Sequence, residues 1–213
     1  MTPEYIYLHG FASSPQSGKA QYLRDRFDIE AKIKLNILDF NQGDFTNLSL
    51  TRQIQQTVAA FPSQELPIIL IGSSFGGLTA TWVANKYPQV TSLILLAPAF
   101  GFPANWRSRL EETQLKQWQE SNYLSVYHYG EDRYLPLNYQ FLIDAESYDQ
   151  SELKRNLPTL ILHGKYDDVI PIEVSRAYAN QHSSVKLVEL DSDHTLNDSK
   201  AIIWQEIQSF LDI

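Results

Sequence analysis

Between residues 68 and 78 the chain reads Ile-Ile-Leu-Ile-Gly-Ser-Ser-Phe-Gly-Gly-Leu. An apolar strand runs straight into a G-x-S-x-G turn and out into a helical segment marked by Leu78, Trp82 and Val83. A turn that sharp places its central residue, Ser74, in a strained conformation with the side chain projecting. Glycines are needed on both sides because a Cβ there would collide with the neighbouring strand and helix. Ser73 is the competing serine, but it has no glycine two residues before it. Ser74 at a helix N-terminus has backbone N–H groups and the helix dipole beside it, an arrangement that favours a developing oxyanion.

The rest of the chain supplies a matching scaffold. Short apolar runs at 5–8, 33–38, 68–71, 93–96, 159–162 and 185–190 alternate with stretches of helical period. Continuous Ile/Leu/Val runs suit parallel strands covered on both faces. Leu50, Ile54, Val58 and Phe61 define one amphipathic helix, with Thr46 or Asn47 expected as its cap. Ile203, Ile207, Phe210 and Leu211 define another after Asn197 or Asp198, and Ala20, Leu23 and Phe27 a weaker third. This alternation predicts a doubly wound α/β sheet with right-handed crossovers.

Residues 99–151 interrupt the rhythm. No strand stands out there, and eleven aromatic side chains, from Phe100 to Tyr148, crowd the segment. It reads as a helical cap within one domain spanning 1–213, helical around Arg107–Gln119. Its aromatics read either as the small core of an excursion packed on the sheet or as the inner face of a cap lining a substrate pocket, and the two readings are compatible.

A serine hydroxyl needs a base, and the base needs a carboxylate. His194 follows the last strand, on the rim where loops at the carboxyl ends of parallel strands converge. Asp167 and Asp168 follow the preceding strand, after His163-Gly164. One of the two is expected to reach the histidine and one to brace its turn. The third element is Leu8-His9-Gly10-Phe11-Ala12-Ser13-Ser14, a strand end and small-residue loop. It can turn a backbone N–H toward the elbow as a second oxyanion donor beside that of Phe75. His9 itself reads as structural, its ring bonded to loop backbone.

These residues resemble the α/β-hydrolase superfamily over nearly the whole chain, and more narrowly the small esterases of the YqiA/UPF0227 type. The likeness rests on His9-Gly10-Phe11-Ala12-Ser13-Ser14-Pro15, the elbow, His163-Gly164-Lys165-Tyr166-Asp167 and Asp193-His194. It implies Asp167 rather than Asp168 as the acid, and Phe11 as the oxyanion donor with Ala12 as the fallback. It implies catalysis without a cofactor. It also implies a six-stranded sheet in the order 2-1-3-4-5-6, lacking the first two strands of the full superfamily sheet.

Composition narrows the function further. There is no Cys, so thiolate metal sites and cysteine nucleophiles are excluded. A net charge of −8 without a basic stretch argues against nucleic acid and anionic membranes as partners. No signal peptide is read at the start, and no run approaches the roughly 18 apolar residues of a membrane span, so a cytoplasmic protein is expected. The activity expected is a serine hydrolase cleaving small acyl esters or thioesters with Ser74, His194 and Asp167, and with the N–H groups of Phe11 and Phe75. A C–C bond hydrolase or lyase, a peptidase and a non-catalytic binding protein are the alternatives the fold leaves open. The same acidic charge disfavours strongly anionic substrates unless the few basic residues near the cap, such as Arg107 and Arg109, are placed to meet them.

Overall fold

Side chains in a strand alternate between faces, and in this chain both faces are apolar. The computed structural model, which describes residues 2–213, shows what that produces. The strands are β1 (Glu4–Leu8), β2 (Leu35–Leu38), β3 (Ile68–Ser73), β4 (Val90–Leu96), β5 (Tyr123–His128), β6 (Arg133–Asn138), β7 (Thr159–Gly164) and β8 (Val185–Leu190). Six of them form a parallel sheet in the order β2-β1-β3-β4-β7-β8. This is the expected sheet, with two labels displaced by a hairpin in the excursion. Ile6, Leu8, Ile68, Leu70, Leu93 and Leu95 are buried on one face. Tyr5, Tyr7, Ile69, Ile71, Ile94 and Leu96 are buried on the other.

Helices cover both faces. The second face carries α1 (Gly18–Arg26) and α8 (Lys200–Leu211), through Ala20, Leu23, Ile203, Trp204 and Ile207. The first carries α2 (Leu50–Ala59), α3 (Phe75–Lys86) and α7 (Ile172–Gln181). The helix starts differ from expectation. α2 is capped by Ser49, whose Oγ accepts the Arg52 N–H at 3.0 Å. Asn47 is instead bound to Asp44 in the preceding turn. α8 begins after a tight turn at Asn197–Ser199, and neither Asn197 nor Asp198 caps it.

The excursion is not purely helical. It contains α4 (Ala104–Arg107), α5 (Glu112–Ser121), the antiparallel pair β5–β6 and α6 (Gln140–Glu146). The expected helix around 107–119 is split, with extended backbone at Glu111 between its parts. The hairpin was hidden by Pro136, which removes a donor from β6 and ordinarily argues against a strand. Its signal was the Tyr, Val and Leu content either side of the turn at Gly130. A Cβ on Gly130 would stand 2.6 Å from Ser14 Cβ, and the Tyr129 N–H donates to the Ala12 carbonyl at 2.9 Å. The hairpin turn therefore sits on the loop after β1. Trp118 of α5 donates its indole N–H to the Leu137 carbonyl at 2.9 Å, tying the hairpin to the excursion's core.

Close backbone approach at the end of β3 sets the whole edge. A Cβ on Gly76 would lie 2.2 Å from the Leu8 carbonyl oxygen and 2.6 Å from that of His9. Neither atom can swing aside. Gly76→Ala is expected to lower the urea midpoint at least as much as the costliest overpacking substitutions, about 3 kcal/mol. A Cβ on Gly18 would meet only the flexible Lys200 Nζ, at 3.5 Å. Gly18→Ala should stay within about 0.5 kcal/mol of wild type. Equal midpoints for the two variants would refute this account of the elbow.

Candidate active site

Ser74 stands between β3 and α3 with φ 53° and ψ −116°. Its backbone is pinned from both sides. The Ser74 N–H donates to the Leu96 carbonyl at 2.8 Å, and its own carbonyl accepts from Ala99, Gly77 and Leu78. Gly72 and Gly76 make the turn possible, because a Cβ on Gly72 would stand 2.4 Å from the Gly76 carbonyl oxygen. The side chain is left projecting from the sheet edge, half-buried.

The register brings the other two groups alongside. Gly164 of β7 pairs with Leu190 of β8, and a Cβ on Gly164 would lie 2.3 Å from the Ser192 carbonyl oxygen. The loops after these strands are thereby pressed together. His194 Nε2 is 3.2 Å from Ser74 Oγ, and His194 Nδ1 is 2.7 Å from Asp167 Oδ2. The Nδ1–H donates to the carboxylate, which leaves Nε2 as the acceptor facing the hydroxyl.

The expected division of labour between the two aspartates does not occur. Asp167 performs both tasks. Its Oδ1 accepts the N–H groups of Val169 at 2.9 Å and Ile170 at 2.7 Å, while Oδ2 takes the histidine. Asp168 is exposed, and its carbonyl oxygen accepts from the Arg109 guanidinium. His163 is a participant that sequence reasoning left without a role. It is fully buried, accepts from the Ser175 hydroxyl on Nδ1 at 2.7 Å and donates from Nε2 to the Ile170 carbonyl at 2.9 Å. The same Nε2 lies 3.1 Å from Asp167 Oδ2. Burial pushes the Asp167 carboxyl up. The hydrogen bonds from His163 and His194, the attraction of His194 and the Ile170 amide outweigh it and hold the group well below the carboxylate range.

His9 is structural, as expected. Its Nδ1–H donates to the Gly10 carbonyl at 2.9 Å and its Nε2 accepts the Phe40 N–H at 3.1 Å. A Cβ on Gly10 would lie 3.3 Å from Ser74 Cβ, so the loop carrying Phe11 borders the elbow. Among the described residues, the N–H groups of Phe11 and Phe75 make no hydrogen bond within the protein. Two openings meet at Ser74. One is an apolar pocket of about 90 Å³ between Phe11, Phe75, Phe102, Trp106 and Ile170. The other is a cleft of about 490 Å³ that includes His194, Thr195, Asn197, Ser13, Ser17 and Lys19. Among the described residues, no three ligating side chains converge as a metal ion would require. None of the described helices is long and apolar enough to cross a membrane.

The sheet, its helices and the elbow at its edge have the arrangement of the α/β-hydrolase fold. The mouse alpha/beta hydrolase domain-containing protein 10 superposes with a TM-score of 0.81 at 20% identity, covering 100% of this chain and 90% of that one. The family model of an uncharacterised protein family, UPF0227, matches residues 4–212, and the chain belongs to that family. It is 28% identical over 181 residues to the 2-hydroxymuconate semialdehyde hydrolase of Pseudomonas sp. (strain CF600), covering 80% of this chain. It is also 28% identical over 143 residues, 64% of this chain, to the mitochondrial palmitoyl-protein thioesterase ABHD10 of Homo sapiens. The chain spans only 62% and 47% of the lengths of these two relatives.

The Asp167 carboxylate predicts a stability profile. Held below its ordinary value in the fold, it stabilises fully above the unfolded value of about 3.9. That contribution is lost as pH falls through the lower folded value. Urea midpoints of wild type should therefore decline more steeply between about pH 5 and pH 2 than those of Asp167→Asn. Parallel profiles would show that the carboxylate is not held as described.

Proposed function

We propose that the protein is a serine hydrolase that transfers an acyl group from an ester or thioester to water. The observation that carries this reading is the continuous hydrogen-bonded path from Asp167 Oδ2 through both nitrogens of His194 to Ser74 Oγ, 2.7 and 3.2 Å long in its two links. Ser74 Oγ attacks the carbonyl carbon as its proton passes to His194 Nε2. Asp167 holds the imidazole and stabilises the imidazolium that forms. The uncommitted N–H groups of Phe11 and Phe75 receive the oxyanion, and each such donor is worth about 3 kcal/mol in the transition state. The tetrahedral intermediate collapses, and the alcohol or thiol leaves with the proton from Nε2. Water then repeats the sequence on the acyl-enzyme. No cofactor enters, and the partner is a small acyl substrate.

A second reading is supported by the relative that hydrolyses 2-hydroxymuconate semialdehyde, a compound with no ester. The same serine and histidine would then cleave a C–C bond beside a carbonyl. Ester turnover separates the two.

A fluorophosphonate probe should label Ser74, and Ser74→Ala should abolish both labelling and turnover of p-nitrophenyl esters. Label on Ser73, or on nothing, would sink the assignment. Asp167→Asn should lower kcat by roughly 10⁴-fold, the loss typical of a mis-set imidazole tautomer. Asp168→Asn should lose far less, and the reverse ranking would move the acid role to Asp168.

The apolar pocket sets a length limit. At about 90 Å³ it has room for roughly three waters' share of liquid volume. Among p-nitrophenyl esters the optimum should therefore lie at short acyl chains, acetyl to butyryl. Trp106 forms one wall and packs on Phe11 and Phe102 at ring-centroid distances of 5.7 and 5.6 Å. Trp106→Ala should shift the optimum to longer chains, and an unchanged profile would remove this pocket as the acyl site.

A further inference from the structure

His194 borders the wide cleft and not the small apolar pocket. In the proposed reaction its Nε2 must return a proton to the departing oxygen or sulfur. The leaving group therefore exits into the cleft, and the acyl group occupies the pocket. What lines the cleft then selects the leaving group.

Lys19, on the first turn of α1, lines that cleft and is half-buried. Lys165 and Lys186 pair with Asp191 and Glu206 at 2.9 and 2.6 Å. Lys19 has no carboxylate within 4.0 Å and no hydrogen bond among the described residues. Asp168 and Asp193 also line the cleft, Asp168 exposed and with its carboxylate unpartnered among the described residues, whereas the two carboxylates that pull on Lys19 are hydrogen-bonded elsewhere. Asp167 is held by two histidines and two amides. Asp193 accepts the N–H and hydroxyl of Thr195 at 2.8 and 2.6 Å. Lys200, also half-buried and unpaired among the described residues, brings a second ammonium close, its Nζ 3.5 Å from where a Cβ on Gly18 would stand. Burial pushes the Lys19 ammonium down to about 8, against the pull of Asp167 and Asp193 and with the added push of Lys200. A partly desolvated cation without a partner gains strongly from an anion delivered to it. Arg107 and Arg109 are not free for this task, since one pairs with Glu146 at 2.9 Å and the other bonds the Asp168 carbonyl.

The geometry points to Lys19, reinforced by the field of Lys200, as the residue that selects substrates whose leaving alcohol or thiol carries a carboxylate or phosphate. This rests on the proposed hydrolysis for the direction of the leaving group, but the anion site itself can be tested without turnover.

Two matched esters provide the kinetic test: 4-nitrophenyl butyrate and 5-butyryloxy-2-nitrobenzoate. Their leaving nitrophenols differ by one carboxylate. At pH 7 the anionic ester should show a kcat/KM about tenfold higher, carried by KM, as one charge-assisted hydrogen bond would supply. Lys19→Ala should bring the ratio near one, and Lys19→Arg should keep most of it. A wild-type ratio of one, or a ratio that survives Lys19→Ala, overturns the assignment. Calorimetric binding of the corresponding amides, 4-nitrobutyranilide and 5-butyramido-2-nitrobenzoate, separates this inference from the hydrolytic one. If Ser74 is not a nucleophile neither ester turns over, yet the anionic amide should still bind wild type about tenfold more tightly than Lys19→Ala. Equal binding overturns the anion site whatever the fate of the nucleophile. Competition by inorganic phosphate or by benzoate then identifies the anion as phosphate or carboxylate. Displacement by neither, or equally by sodium chloride at matched ionic strength, overturns it.

Discussion

Ser74 holds a backbone conformation that costs an L-residue about 1–3 kcal/mol. Four hydrogen bonds to its own N–H and carbonyl keep it there, from Leu96, Ala99, Gly77 and Leu78. Those bonds exist only because three backbones approach within the space of a missing methyl. Gly72 lets α3 turn back on β3, and Gly76 lets α3 rest on the carbonyls of Leu8 and His9. The contact with Leu8 and His9 also fixes the end of β1, and with it the loop carrying Gly10 and Phe11. The strain at one serine and the position of the loop opposite it therefore share a cause.

The second assembly at this edge is organised around a carboxylate. Both oxygens of Asp167 are occupied, one by the turn that carries Asp167 and the other by His194 and His163. An acid that braces its own loop cannot move away from the histidine without breaking the loop's hydrogen bonds to Val169 and Ile170. His163 extends this inward. Its Nδ1 is anchored by Ser175 of α7, so the acid is linked to a helix on the face of the sheet. A buried carboxylate with fewer donors would tend to take up a proton. This one remains an anion, as an imidazolium forming beside it would require.

Much of this was legible in the sequence, and the reason is locality. The elbow is a sequence-local object, since strand, glycines, serine and helix follow one another within eleven residues, 68–78. The six sheet strands announce themselves through unbroken apolar runs because both faces are covered. Asp167 and His194 stand out because each follows such a run. What was not legible depends on contacts distant in the chain. The hairpin β5–β6 has mixed polarity because only its inner side chains, such as Leu124, Val126 and Leu137, meet the core. Nothing near His163 in sequence foretells Ser175 or the second bond to Asp167. The choice of cap for α2 likewise turned on Asn47 being claimed by Asp44. Lys19 is ordinary in sequence, and only the packing of α1 beside the 193–197 loop brings it to the cleft.

The net charge of −8 first suggested that anionic substrates would be repelled. That inference treats the chain as a uniform sphere. At physiological ionic strength, charges further apart than about 8 Å across water are largely screened. The total charge can therefore influence the approach of a ligand but has little hold on one already in the cleft. There the balance is local, and it is set by which charges are already paired. Carboxylates bound to amides, hydroxyls and histidines keep their charge, and Asp167 and Asp193 still attract Lys19, but none of them reaches its ammonium as an ion-pair partner. An ammonium with no partner keeps nearly all of its own. A cleft can thus be attractive to an anion within an acidic protein, provided that it holds a cation with no ion-pair partner of its own. The arrangement around Lys19 meets that condition, whereas Arg107 and Arg109, nearer the cap and more conspicuous in the sequence, do not.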